Sequence, residues 1–236
     1  MARTEIVVDG VLLSPDSDFV GLLRRQLLGE GIFESKGAYG PEDGVVRVLG
    51  AAQGTPIEPS VKDAIMTLVT DRDPTVRAGA AMAVGTYPRT FGAQPLVDIL
   101  DKNLALFRGT PALARGFQDL EWELLQAVAA TESRTPEIME RFKAAVMDPA
   151  NGGRFIGLVT RADPGWVIEH AREITLSQAP RVDGVFAGLP DVAKREAYAK
   201  ALRDEPAPFR REVVARLSKS IPSQPERDRL SKILGG

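Results

Sequence analysis

The sequence predicts an all-α chain, an array of helix pairs behind a short N-terminal β arm, and three observations predict it. Helix starts led by proline or capped by an acid recur along most of the 236 residues. Between those starts, apolar residues return at the helical period. Strand chemistry is confined to the first thirteen residues, where an Asp-Gly pair separates two aliphatic triplets.

The arm comes first. Ile6-Val7-Val8, Asp9-Gly10 and Val11-Leu12-Leu13 make a hairpin or extended arm, because both central residues of the favoured tight turn need positive φ. A lone two-stranded hairpin is marginal in water, and six aliphatic residues in eight positions leave apolar surface and an unpaired edge. The arm is therefore expected either to fold back under the first helix or to add itself to a strand of another chain. The rest of the sequence offers no strand to pair with, which favours the second. Ile6, Val8, Val11 and Leu13 become candidate partner-binding residues.

Helices follow. Ser14-Pro15-Asp16 opens one whose apolar face is Phe19, Val20, Leu23 and Leu27, closed near Gly29 and Gly31. Residues 31–40 read as loop, and Pro41 then takes a first helical position ahead of Val45, Val48 and Leu49. A Pro-rich joint at 54–59 precedes a helix at 61–70. Next, Asp73 caps through its carboxylate, Pro74 presets φ, and Val76, Ala80, Ala83, Val84 and Tyr87 share a face. Small residues there let a neighbouring helix approach closely.

That start recurs. Asp119, Asp163-Pro164 and Glu205-Pro206 each open an apolar-periodic stretch, at steps of 46, 44 and 42 residues from Asp73 onward. Partner helices are expected at roughly 58–70, 92–105, 135–147 and 190–203. A two-helix unit of about 44 residues resembles the HEAT/armadillo class, most clearly at 58–87. Asp73-Pro74-Thr75-Val76-Arg77 with its alanine-rich continuation is similar to the second helix of a HEAT unit, where the resemblance implies that Asp and Arg support the neighbouring turn. Asp119 lacks the proline, and Trp166-Val167 and Phe209-Arg210 depart from the pattern. The resemblance implies an α-solenoid of HEAT-like helix pairs. The domain reading is an arm at 1–15, N-terminal helices and a Gly/Pro-rich loop at 16–54, and repeats at 55–236.

Chemistry is sparse. There is no cysteine, so no disulfide, thiolate nucleophile or Cys-based metal site is available. His170 is the single histidine, which removes His-rich metal sites within one chain, and its helix context reads as structural. Asp119, Glu121 and Glu123 stand two apart, which scatters them around a helix. No nucleophile elbow, P-loop or dinucleotide fingerprint occurs. No catalytic residue, cofactor or metal is expected. Trp122, Phe155, Trp166 and Phe209 invite comparison with HEAT-like DNA glycosylases, but that resemblance implies a basic groove. The net charge is −2, with −6 over residues 1–189. Nucleic acid is thus an unfavoured partner. Alanine-rich helical repeats also resemble phycobilin lyases, without residues that point to a bilin.

Residues 190–236 carry 11 Lys/Arg against 7 Asp/Glu, a balance of +4. This basic excess reads either as a solvated terminal cap or as a docking patch for an acidic partner, a phosphate or another copy's acidic body, with Arg210, Arg211 and Arg216 as candidates. No apolar run reaches the ~20 residues of a membrane span, and the N-terminus lacks signal-peptide character, so a cytoplasmic protein is expected. The functional expectation is a non-enzymatic protein-binding scaffold or assembly subunit, with a protein partner or a homo-oligomer. The alternative is an enzyme or nucleic-acid-binding protein on the same scaffold, glycosylase-like or lyase-like.

Overall fold

The computed structural model describes residues 5–34, 40–109, 114–148, 152–177 and 180–235; positions 1–4 of the arm and 35–39 of the expected loop lie outside them. The chain divides into two compact units, Met1–Ser133 and Arg134–Gly236. No helix among the described residues is long and apolar enough to cross a membrane.

In the first unit, β1 (Ile6–Val8) and β2 (Val11–Leu13) pair antiparallel with Val8 opposite Val11. Asp9 and Gly10 turn the chain with φ of 51° and 82°, as the Asp-Gly pair predicts. Seven helices follow: α1 (Phe19–Leu27), α2 (Glu42–Ala52), α3 (Glu58–Leu68), α4 (Pro74–Thr86), α5 (Pro88–Phe91), α6 (Ala93–Gly109) and α7 (Ala114–Ala130). Asp18, rather than the Ser14–Asp16 stretch, starts α1: its carboxylate accepts from the Gly21 N–H at 2.9 Å. Ser17 Oγ is instead engaged by the Ser14 N–H, which forms a turn ahead of the helix. Val20, expected on the apolar face, is exposed, and Gln26 joins Phe19, Leu23 and Leu27 inside.

Asp73 caps α4 as expected, accepting from the Thr75 N–H at 2.8 Å, and Val76 and Ala80 are fully buried. Asp71, rather than Asp73, receives the arginines: Arg24 Nε lies 3.0 Å from its carboxylate, and Arg77 Nη1 donates to its carbonyl at 2.5 Å. α4 is the hub of this unit, packing against α1, α2, α3, α6 and α7. Asp119 does not open a helix. It lies inside α7, which begins at Ala114, because nothing at that position stops a helix already propagating. The step of 46 residues therefore joins a helix start to a helix interior.

The second unit comprises α8 (Pro136–Met147), α9 (Ile156–Ala162), α10 (Pro164–Glu169), α11 (Ala171–Ser177), α12 (Pro180–Gly188), α13 (Val192–Ala201), α14 (Ala207–Ser220) and α15 (Gln224–Ile233). Thr135, Asp163 and Asp191 cap α8, α10 and α13 through their side chains. The helix expected from Asp163 stops at Glu169, and His170 makes the break before α11. Four helices, α10 to α13, thus fill the interval to Glu205 where one pair was expected. Glu205 is buried and bound to Arg172 at 3.0 Å instead of capping α14. The core gathers Phe142 stacked on Phe155 and Tyr198 edge-on to Phe186.

Candidate binding groove

The strand alternation decides where the arm's side chains go. Val8 and Leu13 are buried, Ile6 and Val11 are half-buried, and Val7 and Leu12 stand 65% and 58% exposed. Ile6 pairs with Leu13 and Val8 with Val11, so the four residues expected to meet a partner share the inward face. β1 packs against α2, and Arg47 of α2 forms an ion pair with Asp9 in the turn. The Glu34 N–H donates to the same carboxylate at 2.9 Å. Of the residues expected to meet a partner, Val8 and Leu13 are thus buried against the body of the protein while Ile6 and Val11 are half-buried, since a hairpin anchored at its turn directs one face inward. The outward pair is Val7 and Leu12.

The basic candidates separate in the same way. Arg210 Nη1 donates to the Leu234 carbonyl at 2.8 Å, closing the end of α15. Arg216 is held by Asp183 at 3.3 Å and Glu212 at 3.1 Å. Only Arg211 of the three is exposed. Two of the three, Arg210 and Arg216, therefore serve internal contacts. The aromatics do not form a base-stacking set. Trp122 and Phe155 are buried, Phe209 is half-buried, and Trp166 stacks on His170 at 4.6 Å. The His170 Nδ1 sits 2.9 Å from the Trp166 carbonyl, a local helix-end contact. The side chains of Asp119 and Glu123 lie outside the described residues.

The sequence reading passed over a groove in the first unit. It has a volume of about 560 Å³. α4 contributes Ala81, Met82, Gly85 and Thr86, while α7 contributes Leu124, Gln126, Ala127 and Ala130. α2 contributes Glu42, Asp43 and Val46, and Pro88 of α5 completes the lining. Because α4 packs against both α2 and α7, it forms the floor between them. That size falls in the range of small-ligand and peptide side-chain pockets, and the lining is mostly aliphatic.

Glu42 and Asp43 occupy the first turn of α2. Burial, offset in part by its own backbone N–H and reinforced by the Asp43 charge, pushes the Glu42 carboxyl above the usual carboxylate range. Asp43 Oδ2 is buried with no hydrogen-bond partner. Among the described residues, no lysine or arginine lines the groove. The start of α2 is held in place by Gln26, which accepts from the Phe33 N–H at 2.8 Å and donates to the Pro41 carbonyl at 3.0 Å. Gly44 makes room for it: a Cβ there would stand 2.5 Å from Gln26 Nε2.

No protein-family model, curated protein or solved structure matches the chain.

The groove left a faint mark in the sequence. Pro41-Glu42-Asp43 reads as an ordinary helix start, since acids there suit the helix dipole. Met82, Gly85 and Thr86 lie beside the packed face of α4 and have no period of their own. What makes them a site is α7, whose relevant residues follow about forty positions later.

Proposed function

We propose that the chain is a non-enzymatic protein-binding or assembly subunit, a HEAT-like array of helix pairs whose groove over α4 receives a partner. The groove itself carries this reading: three helices surround an open, mostly aliphatic surface of small side chains, a shape suited to an incoming side chain or helix edge. The neighbour-to-neighbour packing of α3 on α4 and α6 on α7 supports the array of pairs. Two carboxylates, with no cation among the described lining residues, oppose a polyanion, which weighs against the nucleic-acid alternative.

The test fills the groove. Thr86 is exposed at its edge, so Thr86→Trp occupies the space without opening the core. Cross-linking of the tagged chain in cells of its source, read by mass spectrometry, should place partner cross-links on α2, α4 and α7. Those links should vanish in Thr86→Trp while the circular-dichroism spectrum stays the same. Cross-links that are unchanged in the variant, or that avoid these helices, sink the reading.

A further inference from the structure

Glu42 and Asp43 present two adjacent carboxylates to a groove that has no Lys or Arg among its described lining residues. The basic residues of α2 and α3 are engaged: Arg47 binds Asp9, and Lys62 Nζ donates to the Thr90 carbonyl at 2.9 Å. The field of the α2 N-terminus favours acids in its first turn, yet it supplies no donor to Asp43 Oδ2, which is buried and unpaired. A buried carboxylate oxygen without a donor is costly, and an incoming N–H donor with a positive charge removes that cost.

The remaining lining narrows the choice of cation. Val46 and Met82 are half-buried aliphatic and thioether surface, above a floor of buried Ala81, Leu124 and Ala127, that a bare ion or a short amine leaves uncovered. Lysine and arginine match both halves, since their methylene stems cover apolar surface while the head reaches a charge. The volume of about 560 Å³ suits a few side chains and not a whole helix.

We propose that the occupant is a basic segment of a partner protein, one lysine or arginine of which lays its stem on Val46 and Met82 and its cationic head on Glu42 and Asp43. The proposal rests on the protein-binding reading and adds to it the charge of what binds. Binding is then weakened by salt, because ions screen the attraction.

The experiment uses the full chain labelled with ¹⁵N and capped pentapeptides in which arginine, glutamine or glutamate is flanked by leucine and alanine. Amide shifts of α2, α4 and α7 report binding in the groove. The arginine peptide should bind about tenfold tighter than the glutamine peptide, the size of one charge-assisted hydrogen bond, and the glutamate peptide weakest. Asp43→Asn should erase most of that preference while leaving glutamine-peptide binding, which also shows that the groove is intact. Equal binding of the arginine and glutamine peptides overturns the proposal and leaves the protein-binding reading standing. Arginine amide binding as tightly as the peptide also overturns it, in favour of a small cation. Absence of shifts on these helices with every peptide overturns both.

Discussion

In the first unit α6 and α7 run for 17 residues each and α4 for 13, whereas α9 to α12 of the second unit have seven, six, seven and nine. Each helix end leaves backbone groups unpaired, so a unit of short helices has more of them to satisfy. The second unit meets this with arginine. Arg195 Nη1 donates to the Leu189 carbonyl at 2.7 Å, Arg227 Nη1 to Ile221 at 2.6 Å, and Arg210 to Leu234. Arg195 also holds the buried Glu226 at 2.6 Å. The first unit packs long helices through small residues, buries the neutral Gln26, and uses arginine more sparingly, Arg47 on Asp9 and Arg77 on the Asp71 carbonyl. The comparison explains the uneven charge of the sequence. Much of the basic excess after residue 190 caps carbonyls and pairs with carboxylates inside the unit.

If that contrast is right, the largest loss follows from breaking an ion pair of the second unit. Glu226→Ala leaves Arg195 without its carboxylate in a mostly buried position and should cost about 3 kcal/mol. Urea unfolding of wild type and variant measures it, and a loss under about 1 kcal/mol would contradict the role given to this pair. In the first unit the vulnerable feature is close packing. Ala80 is fully buried on α4, so Ala80→Leu should cost about 1–3 kcal/mol through overpacking. An unchanged melting temperature would remove α4 from the centre of that unit.

The smallest effect concerns the groove and its sign depends on pH. The folded protein raises the Glu42 pKa, so the protonated form is the one it favours. The associated stability is present below the unfolded-state pKa and is lost as pH rises through the folded-state value. Glu42→Gln should therefore be more stable than wild type at neutral pH, with the gap closing as pH falls into the ordinary glutamate range. Thermal melts across pH read this directly. A variant less stable than wild type at pH 7 would mean that the carboxylate has a partner inside the protein.

How much was legible varied with the range of the interaction. The Asp9-Gly10 turn, the caps at Asp73 and Asp163, and the buried face of Val76 and Ala80 follow from residues within a turn or two of each other. The 44-residue spacing misled at Asp119, because an acid before an apolar stretch marks a helix start only when the chain is not already helical, whereas a helix, α14, does start directly after Glu205-Pro206. The face of the hairpin was missed for a related reason. Both faces are aliphatic, and only the Arg47–Asp9 anchor decides which one turns inward.

By itself the sequence determined an overwhelmingly helical chain, one hairpin and most of the helix starts, since turns, caps and apolar periods act over a few residues. Only the tertiary structure decided which charges are free and where a groove lies. Arg210 becomes a cap when the end of α15 reaches it, and Glu42 and Asp43 come to line a groove when α4 and α7 pack beside α2. Burial and electrostatic pairing depend on groups brought together from distant positions, and that distance is set by packing and not by order along the chain.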